Sequence, residues 1–251
     1  MHGIRARCDS CLVRCDGICA ALDKESRAEL LRLSRRKTVP PHHPIFRDGD
    51  LADHYYNITS GIVKLVKTLA DGQQHIVGLL YPTDFMGQSL NKHHTYAAES
   101  ATDAELCSYP RAPFEQFLQR HPELERQIFH ATIRELDLCR DWTLLLGRKC
   151  SYERVAGFLL MMARRAPRKS PEQPTNYIHF ELPFTRAEMA DYLGLTLETV
   201  SRQFSHLKKK QVIDLPSSRD IIIPDIELLS LVAQIESCSE DIDRYQSRIV
   251  A

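Results

Sequence analysis

Short runs of apolar residues, separated by turn-forming residues, fill the chain between Thr38 and Tyr109. The runs include PIF, YYNI, IVKLVKTL, HIVGLLY and AELCSY, and the breaks between them are RDGD, TSG, ADGQQ and PTDFMG. Short strands with Gly and Asp at the tight turns are typical of antiparallel sheets. The pattern therefore predicts an antiparallel β-barrel or roll in this part of the chain.

Helical periodicity replaces this pattern at about Arg111. A short helix is predicted over PFEQFLQR, a long one over about 123–146 and a further one over about 152–165. The long helix has an inner apolar stripe that can dock it on its own domain, made of Leu124, Ile128, Ala131, Leu138, Trp142 and Leu145. A second stripe, with spacings of three and four, predicts packing against a second copy of the chain, unless the helix is wholly buried within one protomer. The residues of this dimer stripe are Phe129, Thr132, Leu136, Cys139, Thr143 and Leu146.

Residues 185–223 have the pattern of a helix-turn-helix followed by a wing. Thr185 and Glu188 are spaced for a capping box at the start of the first helix, and Gly194 supplies the turn with Leu195 buried beside it. The second helix begins at Thr196 and directs three apolar residues toward the core: Val200, Phe204 and Leu207. The segment VIDLPSSRDIII then predicts a β-hairpin wing with Arg219 near its tip.

The residues that the second helix turns outward are suited to reading base pairs. Arg202 can bond guanine O6 and N7, Glu198 can accept from cytosine N4, and Ser201 is a short donor. In a DNA-binding helix-turn-helix the second helix lies in the major groove, and Lys208 with its two lysine neighbours can contact phosphate. An ordinary helical hairpin with a solvated face is the alternative. The predicted DNA-contacting residues are Arg186, Thr196, Glu198, Ser201, Arg202, Lys208 and Arg219.

The formal net charge of zero hides a strong segregation of charge. Between positions 148 and 170 there are seven basic residues and one acidic residue, a balance of +6. Between positions 220 and 251 there are seven acidic residues and two basic ones, a balance of −5. The basic block favours a surface that faces nucleic acid.

Length and composition narrow the class of protein. The 251 residues, 43% of them hydrophobic, can bury a sizeable core in one or two domains. No apolar run approaches the roughly 20 residues that span a bilayer, and the N-terminus lacks the apolar segment of a secretory signal. We therefore expect a cytoplasmic protein with no membrane partner. The sequence has no nucleophile–base constellation and no phosphate-binding loop, so we do not expect an enzyme.

The N-terminal segment RCDSCLVRCDGIC places four cysteines within twelve positions, Cys8, Cys11, Cys15 and Cys19. In a cytoplasmic protein such a group is more often metal-binding or redox-active than disulfide-bonded. The pattern alone leaves an iron–sulfur cluster, a structural zinc site and an unligated thiol sensor open. The following segment, AALDKESRAELLRLS, predicts an amphipathic helix. Single cysteines on predicted helices are usually small apolar core residues, and these are Cys139, Cys150 and Cys238.

The order of a β-roll, a long helix and a C-terminal winged helix-turn-helix resembles the CRP/FNR family of transcription regulators over essentially the whole chain. The segment from PIFRDGD to PTDFMG is similar to the family's sensor roll, and LGLTLETVSRQFSHLKKKQVI is similar to its recognition motif. Glu198, Ser201 and Arg202 match the E-x-x-S-R pattern of the FNR branch. The resemblance implies an α+β fold with an antiparallel β-roll of the cyclic-nucleotide-binding, jelly-roll kind. The expected parts are a Cys-rich segment over 1–20, the sensor roll over 21–121, a dimerisation helix over 122–147 and the DNA-binding domain over 148–251.

The same resemblance implies a [4Fe–4S] cluster. FNR-type oxygen sensors hold it with three N-terminal cysteines and one cysteine of the roll. Here Cys8, Cys11 and Cys19 have the C-x2-C-x7-C spacing of one variant of the family, and Cys107 in ELCSYP matches the distal ligand. Cys15 is an alternative third N-terminal ligand, because C-x2-C-x3-C is also sterically possible. A structural zinc or thiol-redox site in place of the cluster is the alternative function for this segment.

The resemblance further implies how the protein acts. We expect an oxygen-sensing activator that binds a palindrome resembling TTGAT-N4-ATCAA as a homodimer and has RNA polymerase as a partner. An intact cluster would clamp the N-terminal segment to the roll and favour the dimer, and oxygen would shift the population to monomer. Acidic residues near the seam suit an association that is only marginally stable, and these are Glu135, Asp137 and Asp141.

No cyclic nucleotide is expected. The Gly-Glu and Arg-Ser pairs that hold the nucleotide in other members of the family appear here as Gly87-Gln88 and as HHTYAAES, which has no arginine. His94 and Thr95 are poor substitutes for a charged partner of the cyclic phosphate. The pairs His42-His43 and His93-His94 are expected to be surface residues rather than metal ligands.

Overall fold

The computed structural model describes residues 11, 13, 16–72, 74–87, 90–165 and 176–234. The chain divides into two compact units, Met1–Leu138 and Cys139–Ala251, and the division falls within the long helix. Each unit is described by itself. Within the described ranges, no helix has the length and apolar character needed to cross a membrane.

Two four-stranded antiparallel sheets form the body of the first unit. The first sheet has the order β1-β8-β3-β6, and its strands are Arg35–Val39, Ala104–Pro110, His54–Ser60 and Phe85–Met86. The second sheet has the order β2-β7-β4-β5, and its strands are Pro44–Phe46, Ala97–Ser100, Val63–Thr68 and Gln74–Leu80. The predicted β-roll is confirmed.

The first sheet has a different hydrophobic core on each of its faces, because successive side chains of a strand point to opposite sides. On β3 and β8, Tyr56, Ile58 and Leu106 point between the two sheets and belong to the core of the roll. Tyr55 and Tyr109, on the same two strands, belong to a second core that the helices of this unit complete. The remaining members of this second core are Ile18, Leu22, Leu30, Phe114, Phe117 and Leu124.

The helices of the first unit are a short 3-10 helix over Ile18–Ala21, α1 over Lys24–Leu33, α2 over Arg111–Arg120 and the beginning of α3 over Pro122–Arg148. The amphipathic helix predicted from Ala20 therefore begins four residues later than expected. Asp23 is the reason, because its carboxylate accepts a hydrogen bond from the Ser26 N–H at 2.8 Å and caps the helix there.

The second unit contains α4 over Ser151–Arg165, α5 over Arg186–Leu193, α6 over Leu197–Lys209 and α7 over Ile226–Gln234. Two strands, β9 over Ile178–Glu181 and β10 over Asp220–Ile223, pair antiparallel. The wing was predicted as a local hairpin, but its local part is a single bridge between Asp214 and Ile222. The main partner of β10 is β9, which comes from a segment before the helix-turn-helix.

The turn between α5 and α6 has the predicted geometry. The Thr185 hydroxyl accepts from the Glu188 N–H at 3.1 Å, and the Thr185 N–H donates to the Glu188 carboxylate at 2.8 Å, so the capping box is confirmed. Gly194 has a φ of 60°, the left-handed conformation that favours glycine at a helix end. Leu195 is half-buried rather than buried, since it lies at the edge of this turn.

Candidate thiol cavity and nucleic-acid interface

A cavity on the helix-covered face of the first sheet brings together thiols from three parts of the chain. Cys11 comes from the N-terminal segment, Cys19 from the 3-10 helix and Cys107 from β8. The other residues that line the cavity are Val13, Arg27, Leu30, Leu31, Asn57, Thr59 and Tyr109. Two further cysteines named as ligand candidates, Cys8 and Cys15, lie outside the described residues.

The strand register determines the position of Cys107. Cys107 lies opposite Asn57 of β3 on one side and opposite Arg36 of β1 on the other. Tyr109, two residues further along β8, lines the same cavity because residues two apart share a face of the strand. The alternation of the roll therefore directs the Cys107 thiol toward the helices and away from the core between the sheets.

A tight turn brings Cys19 to the same cavity. The Gly17 N–H donates to the Val13 carbonyl at 2.9 Å, and a Cβ at position 17 would lie 3.0 Å from that same oxygen. The next residue, Ile18, is 1% exposed and anchors the 3-10 helix in the second core. Cys19 packs against this core as a half-buried residue.

Charged and polar groups surround the thiols. The Arg27 guanidinium donates through Nη2 to the Leu22 carbonyl at 2.6 Å, while its buried Nε has no partner within the described residues. Asn57 is 2% exposed, and its Oδ1 also lacks a partner there. The hydrogen bond to Glu105 raises the pKa of Arg36, and the nearby Cys107 and Cys11 act in the same direction.

The arrangement of donors bears on the kind of group that this cavity could hold. Within the described ranges, no group of three His, Cys, Asp or Glu side chains could hold a metal ion. Tetrahedral zinc requires its four ligands within about 2.0–2.3 Å of a single ion. A four-iron cluster accepts each cysteine at a different iron, so its ligands stand farther apart. The three described thiols line one cavity, and Cys8, the fourth ligand that the sequence predicts for a four-iron cluster, lies outside the described residues.

Two of the cysteines expected as apolar core residues have other environments. Cys139 is exposed, because its position on α3 turns it away from the interior. Cys150 takes part in a disulfide, so the expectation that it packs as a thiol is wrong. Cys238 lies outside the described residues.

The predicted base-reading residues share one exposed face of α6. Glu198, Ser201 and Arg202 are exposed, whereas Val200, Phe204 and Leu207 are at most 2% exposed and pack in the interior. Hydrogen bonds from its own backbone N–H and from the Thr196 hydroxyl hold the pKa of Glu198 below its usual range, so this residue is an ionised acceptor. The face therefore offers one acceptor, one hydroxyl and one guanidinium to a groove.

The remaining predicted DNA contacts lie around this face. Thr196 caps α6, and its hydroxyl accepts from the Thr199 N–H at 3.2 Å. Lys208 is exposed near the end of α6, with its Nζ 3.4 Å from the Asp214 carboxylate. Arg219 is exposed and immediately precedes β10, near the turn of the wing.

Arg186 differs from the sequence-based expectation of an outward DNA contact. Its guanidinium carbon lies 3.2 Å from the centre of the Phe204 ring, and its Nη1 donates to the Met189 sulfur at 3.5 Å. Burial lowers the pKa of Arg186 to about 10. A cation above an aromatic face is attracted by the ring quadrupole. The side chain therefore joins α5 to α6 instead of extending from the surface.

The dimer stripe of α3 is exposed from Phe129 to Thr143, and its last predicted residue, Leu146, is half-buried. Phe129 is 61% exposed and Leu136 is 44% exposed, and Thr132, Cys139 and Thr143 are exposed as well. The two threonine hydroxyls donate to carbonyls one turn back, at 3.0 and 2.8 Å, which leaves their methyl groups as the outward apolar part. This face of the helix is an unburied apolar surface.

The inner stripe of α3 is buried only in part. Leu124 is fully buried, and Trp142 stacks on Tyr192 with ring centroids 4.2 Å apart. Leu138, which was predicted to dock the helix, is 53% exposed. Its expected role is wrong, because the interior contacts of α3 lie near the two ends of the helix and Leu138 lies between them.

His94 also differs from its expected place at the surface. It is 3% exposed, and its ring stacks on Phe46 with centroids 3.6 Å apart and an interplanar angle of 9°. Its Nδ1 has no hydrogen-bond partner within the described residues, and burial lowers its pKa below the usual value. Its neighbour His93 is exposed, as expected.

Comparisons with known proteins match both units of the chain. Residues 36–121 match the family model described as a cyclic nucleotide-binding domain, and residues 153–232 match that of a Crp-like helix-turn-helix domain. A probable transcriptional activator of Rhizobium leguminosarum bv. viciae is 40% identical over 90% of this chain and 93% of its own length. The transcriptional activator protein FnrL of Cereibacter sphaeroides is 38% identical over 94% of both chains. The structure of FixK2 from Bradyrhizobium japonicum is 30% identical, with a TM-score of 0.70 over 81% of this chain and 99% of its own.

Proposed function

Because this chain belongs to the CRP/FNR family of transcription regulators, we propose that it is an oxygen-responsive transcriptional activator. It binds a palindrome resembling TTGAT-N4-ATCAA as a homodimer, and its protein partner is RNA polymerase. The observation that carries the oxygen response is the meeting of Cys11, Cys19 and Cys107 in one cavity. Together with Cys8, these thiols are the ligands of a [4Fe–4S] cluster, which when bound supplies the reaction with oxygen.

Sequence-specific binding rests on the exposed face of α6. Arg202 donates to guanine, Glu198 accepts from cytosine N4, and Ser201 completes the reading of the half-site. The Arg186–Phe204 contact contributes indirectly to base recognition, since it fixes α5 against the helix that carries the three residues. Lys208 and Arg219, at the end of α6 and in the wing, add phosphate contacts that hold the orientation of the helix.

Dimerisation uses the exposed stripe of α3. Two helices that pair in parallel about a two-fold axis bury residues spaced by three and four along their contact. Phe129, Thr132, Leu136 and Cys139 have this spacing and are exposed in the single chain. Pairing of the stripe covers them and gives two recognition helices for the two halves of a palindrome.

A shared hydrophobic core supports a connection between the thiol cavity and the dimer stripe. Leu124, in the first turn of α3, is fully buried in the second core, and Ile128 packs against that core. Cys19 and Cys107 pack against the same core. Tying the N-terminal segment to Cys107 orders this core, and through Leu124 and Ile128 it fixes the start of the stripe at Phe129. Loss of the tie loosens that support and favours the monomer.

The sensor roll does not use a cyclic nucleotide in this proposal. In nucleotide-binding relatives an arginine in this region neutralises the cyclic phosphate, whereas HHTYAAES in this chain has none. His94 is stacked on Phe46 in the interior, and burial lowers its pKa. It is therefore a neutral ring that packs in the core rather than a phosphate ligand.

Anaerobic purification tests the cluster directly. We expect a brown protein that contains iron and acid-labile sulfide and loses its visible absorption in air. A colourless protein that contains zinc in place of iron and still binds the palindrome would overturn the oxygen-sensing part and leave the DNA-binding part standing.

A further inference from the structure

Arg27 reaches the thiol cavity from α1 and is tied to the backbone that carries Cys19. Its Nη2 donates to the Leu22 carbonyl at 2.6 Å, and the Leu22 N–H in turn donates to the Cys19 carbonyl at 3.3 Å. Leu22 itself is 3% exposed and belongs to the second core. The guanidinium is therefore held in place relative to the 3-10 helix that supplies a predicted ligand.

The cavity contains a donor and an acceptor that the described residues leave unsatisfied. Arg27 Nε is buried and has no hydrogen-bond partner among the residues that the structure describes, although Arg27 lines the cavity with the three thiols. Asn57 Oδ1 is in the same condition, and the Asn57 side chain can be turned to present its Nδ2 with no change in volume. Buried polar groups are almost always paired in folded proteins, so two exceptions in one cavity point to a polar or ionic group that completes it.

We propose that Arg27 is a positioning residue for the [4Fe–4S] cluster and donates its Nε–H to a sulfur of that group. The inference rests on the proposed function, since it requires a cluster in the cavity. A cluster held by four thiolates has negative charge and many acceptor sulfurs, which suits a buried cationic donor. Asn57, opposite Cys107 in the sheet, is a neutral neighbour of the same site.

The donor has a defined consequence for the reaction with oxygen. Hydrogen bonds to the sulfurs and the surrounding charge set the reduction potential of an iron–sulfur cluster. A cationic N–H favours the more reduced and more negative form, so transfer of an electron from the cluster to dioxygen becomes less favourable. Arg27 thereby sets how much oxygen the protein tolerates before the tie between the N-terminal segment and the roll is lost.

Three variants of the full-length chain test this role. Arg27→Met keeps the length of the side chain without its donors, Arg27→Lys keeps the charge and an N–H, and Arg32→Ala removes an exposed arginine of the same helix that does not line the cavity. Each protein is loaded anaerobically, and iron, sulfide and reduction potential are measured. The decay of visible absorption in air-saturated buffer is then followed.

We expect Arg27→Met to load a cluster of lower potential that decays about tenfold faster than that of the unchanged protein. The potential and decay rate of Arg27→Lys should lie between those of Arg27→Met and the unchanged protein, and those of Arg32→Ala should equal those of the unchanged protein. If Arg27→Met is folded but loads no cluster, the loading of a cluster by Arg27→Lys supports the role of Arg27 as a donor. If neither variant loads a cluster, the role of Arg27 is purely steric and the proposal is overturned.

Equal potentials and decay rates in Arg27→Met and the unchanged protein would also overturn it, because a residue that only ties Leu22 changes thermal stability and leaves the potential as it was. If the unchanged protein loads no cluster, the oxygen-sensing function has failed, and the role of Arg27 fails with it.

Discussion

Cys107 on β8 lies directly opposite Asn57 on β3, and both residues line the cavity that Cys11 and Cys19 reach from the N-terminal side. A shift of one residue in the register of β8 would turn Cys107 into the core between the sheets. The roll thus determines where one ligand candidate lies, and the N-terminal segment supplies the others. These thiols lie together only while the N-terminal segment is packed on the roll. A change at the site can therefore be coupled to release of the segment.

Substitution of single cysteines distinguishes the two candidates for the third N-terminal ligand. Cys19→Ala should lose the cluster, since Cys19 lines the cavity, whereas Cys15→Ala should retain it. Iron and sulfide per chain after anaerobic reconstitution are the measurement. Cys139→Ala, which changes an exposed thiol of α3, is the control. Retention in Cys19→Ala with loss in Cys15→Ala would assign the ligand to Cys15.

Arg202→Ala should weaken binding to the TTGAT palindrome about 10- to 100-fold, because one bidentate base contact is worth about 1–3 kcal/mol. The loss of affinity caused by Arg202→Ala should be smaller on a DNA site in which the contacted guanine is replaced by another base. The exposed Lys209 provides the comparison, since Lys209→Ala should weaken all sequences alike and lower the salt slope of log K by about 1. Fluorescence anisotropy at several salt concentrations measures both effects. Unchanged binding in Arg202→Ala would remove this residue from the recognition surface.

Leu136→Asp should convert the dimer into a monomer. Leu136 is 44% exposed in the middle of the dimer stripe, and pairing of two chains would bring two introduced carboxylates together without a partner. Sedimentation of the anaerobic, loaded protein is the measurement. Arg134→Asp places the same carboxylate at an exposed position of α3 outside the stripe and should remain dimeric. Monomers in both variants would indicate a general effect on the helix.

His94 makes the stability of the roll depend on pH. Burial lowers its pKa in the folded chain below the usual 6.5, so the unfolded chain binds this proton first as the pH falls. Stability from this residue is therefore fully present above pH 6.5 and decreases below it, by at most about 1.4 kcal/mol per pH unit. The free energy of unfolding, measured by chemical denaturation between pH 5 and pH 8, should change less with pH in His94→Gln than in His93→Gln, the exposed neighbour. Equal slopes would mean that His94 does not titrate on unfolding.

The elements that were predictable from the sequence are those with a regular alternation or with a cap. The apolar runs of β3, β4, β5 and β8 and the Thr185–Glu188 capping box needed only local rules. Strand β1, with the sequence RRKTV, has a single buried residue, Val39, and three basic ones, so its pattern does not indicate a strand. Its pairing with β8, far away in the chain, is what orders it.

The side chains that were misjudged depend on tertiary packing. Arg186 is of a residue type that often contacts phosphate, and only the packing of α5 against α6 places it over Phe204. His94 has a polar sequence context, and its burial follows from the position of Phe46 on another strand. Arg27 and Asn57 belong to no motif, and they become candidates only because the fold leaves their polar atoms unsatisfied beside three thiols.

DNA binding by one preparation before and after exposure to air tests the central claim most directly. The protein is loaded anaerobically, and its affinity for the TTGAT palindrome is measured under nitrogen and again after air has bleached the visible absorption, with Cys107→Ala measured in parallel. We predict tight binding by a dimer under nitrogen, weak binding by a monomer after air, and weak binding by Cys107→Ala under both conditions. Equal affinity before and after bleaching, with the same affinity in Cys107→Ala, would contradict an oxygen response through this cavity.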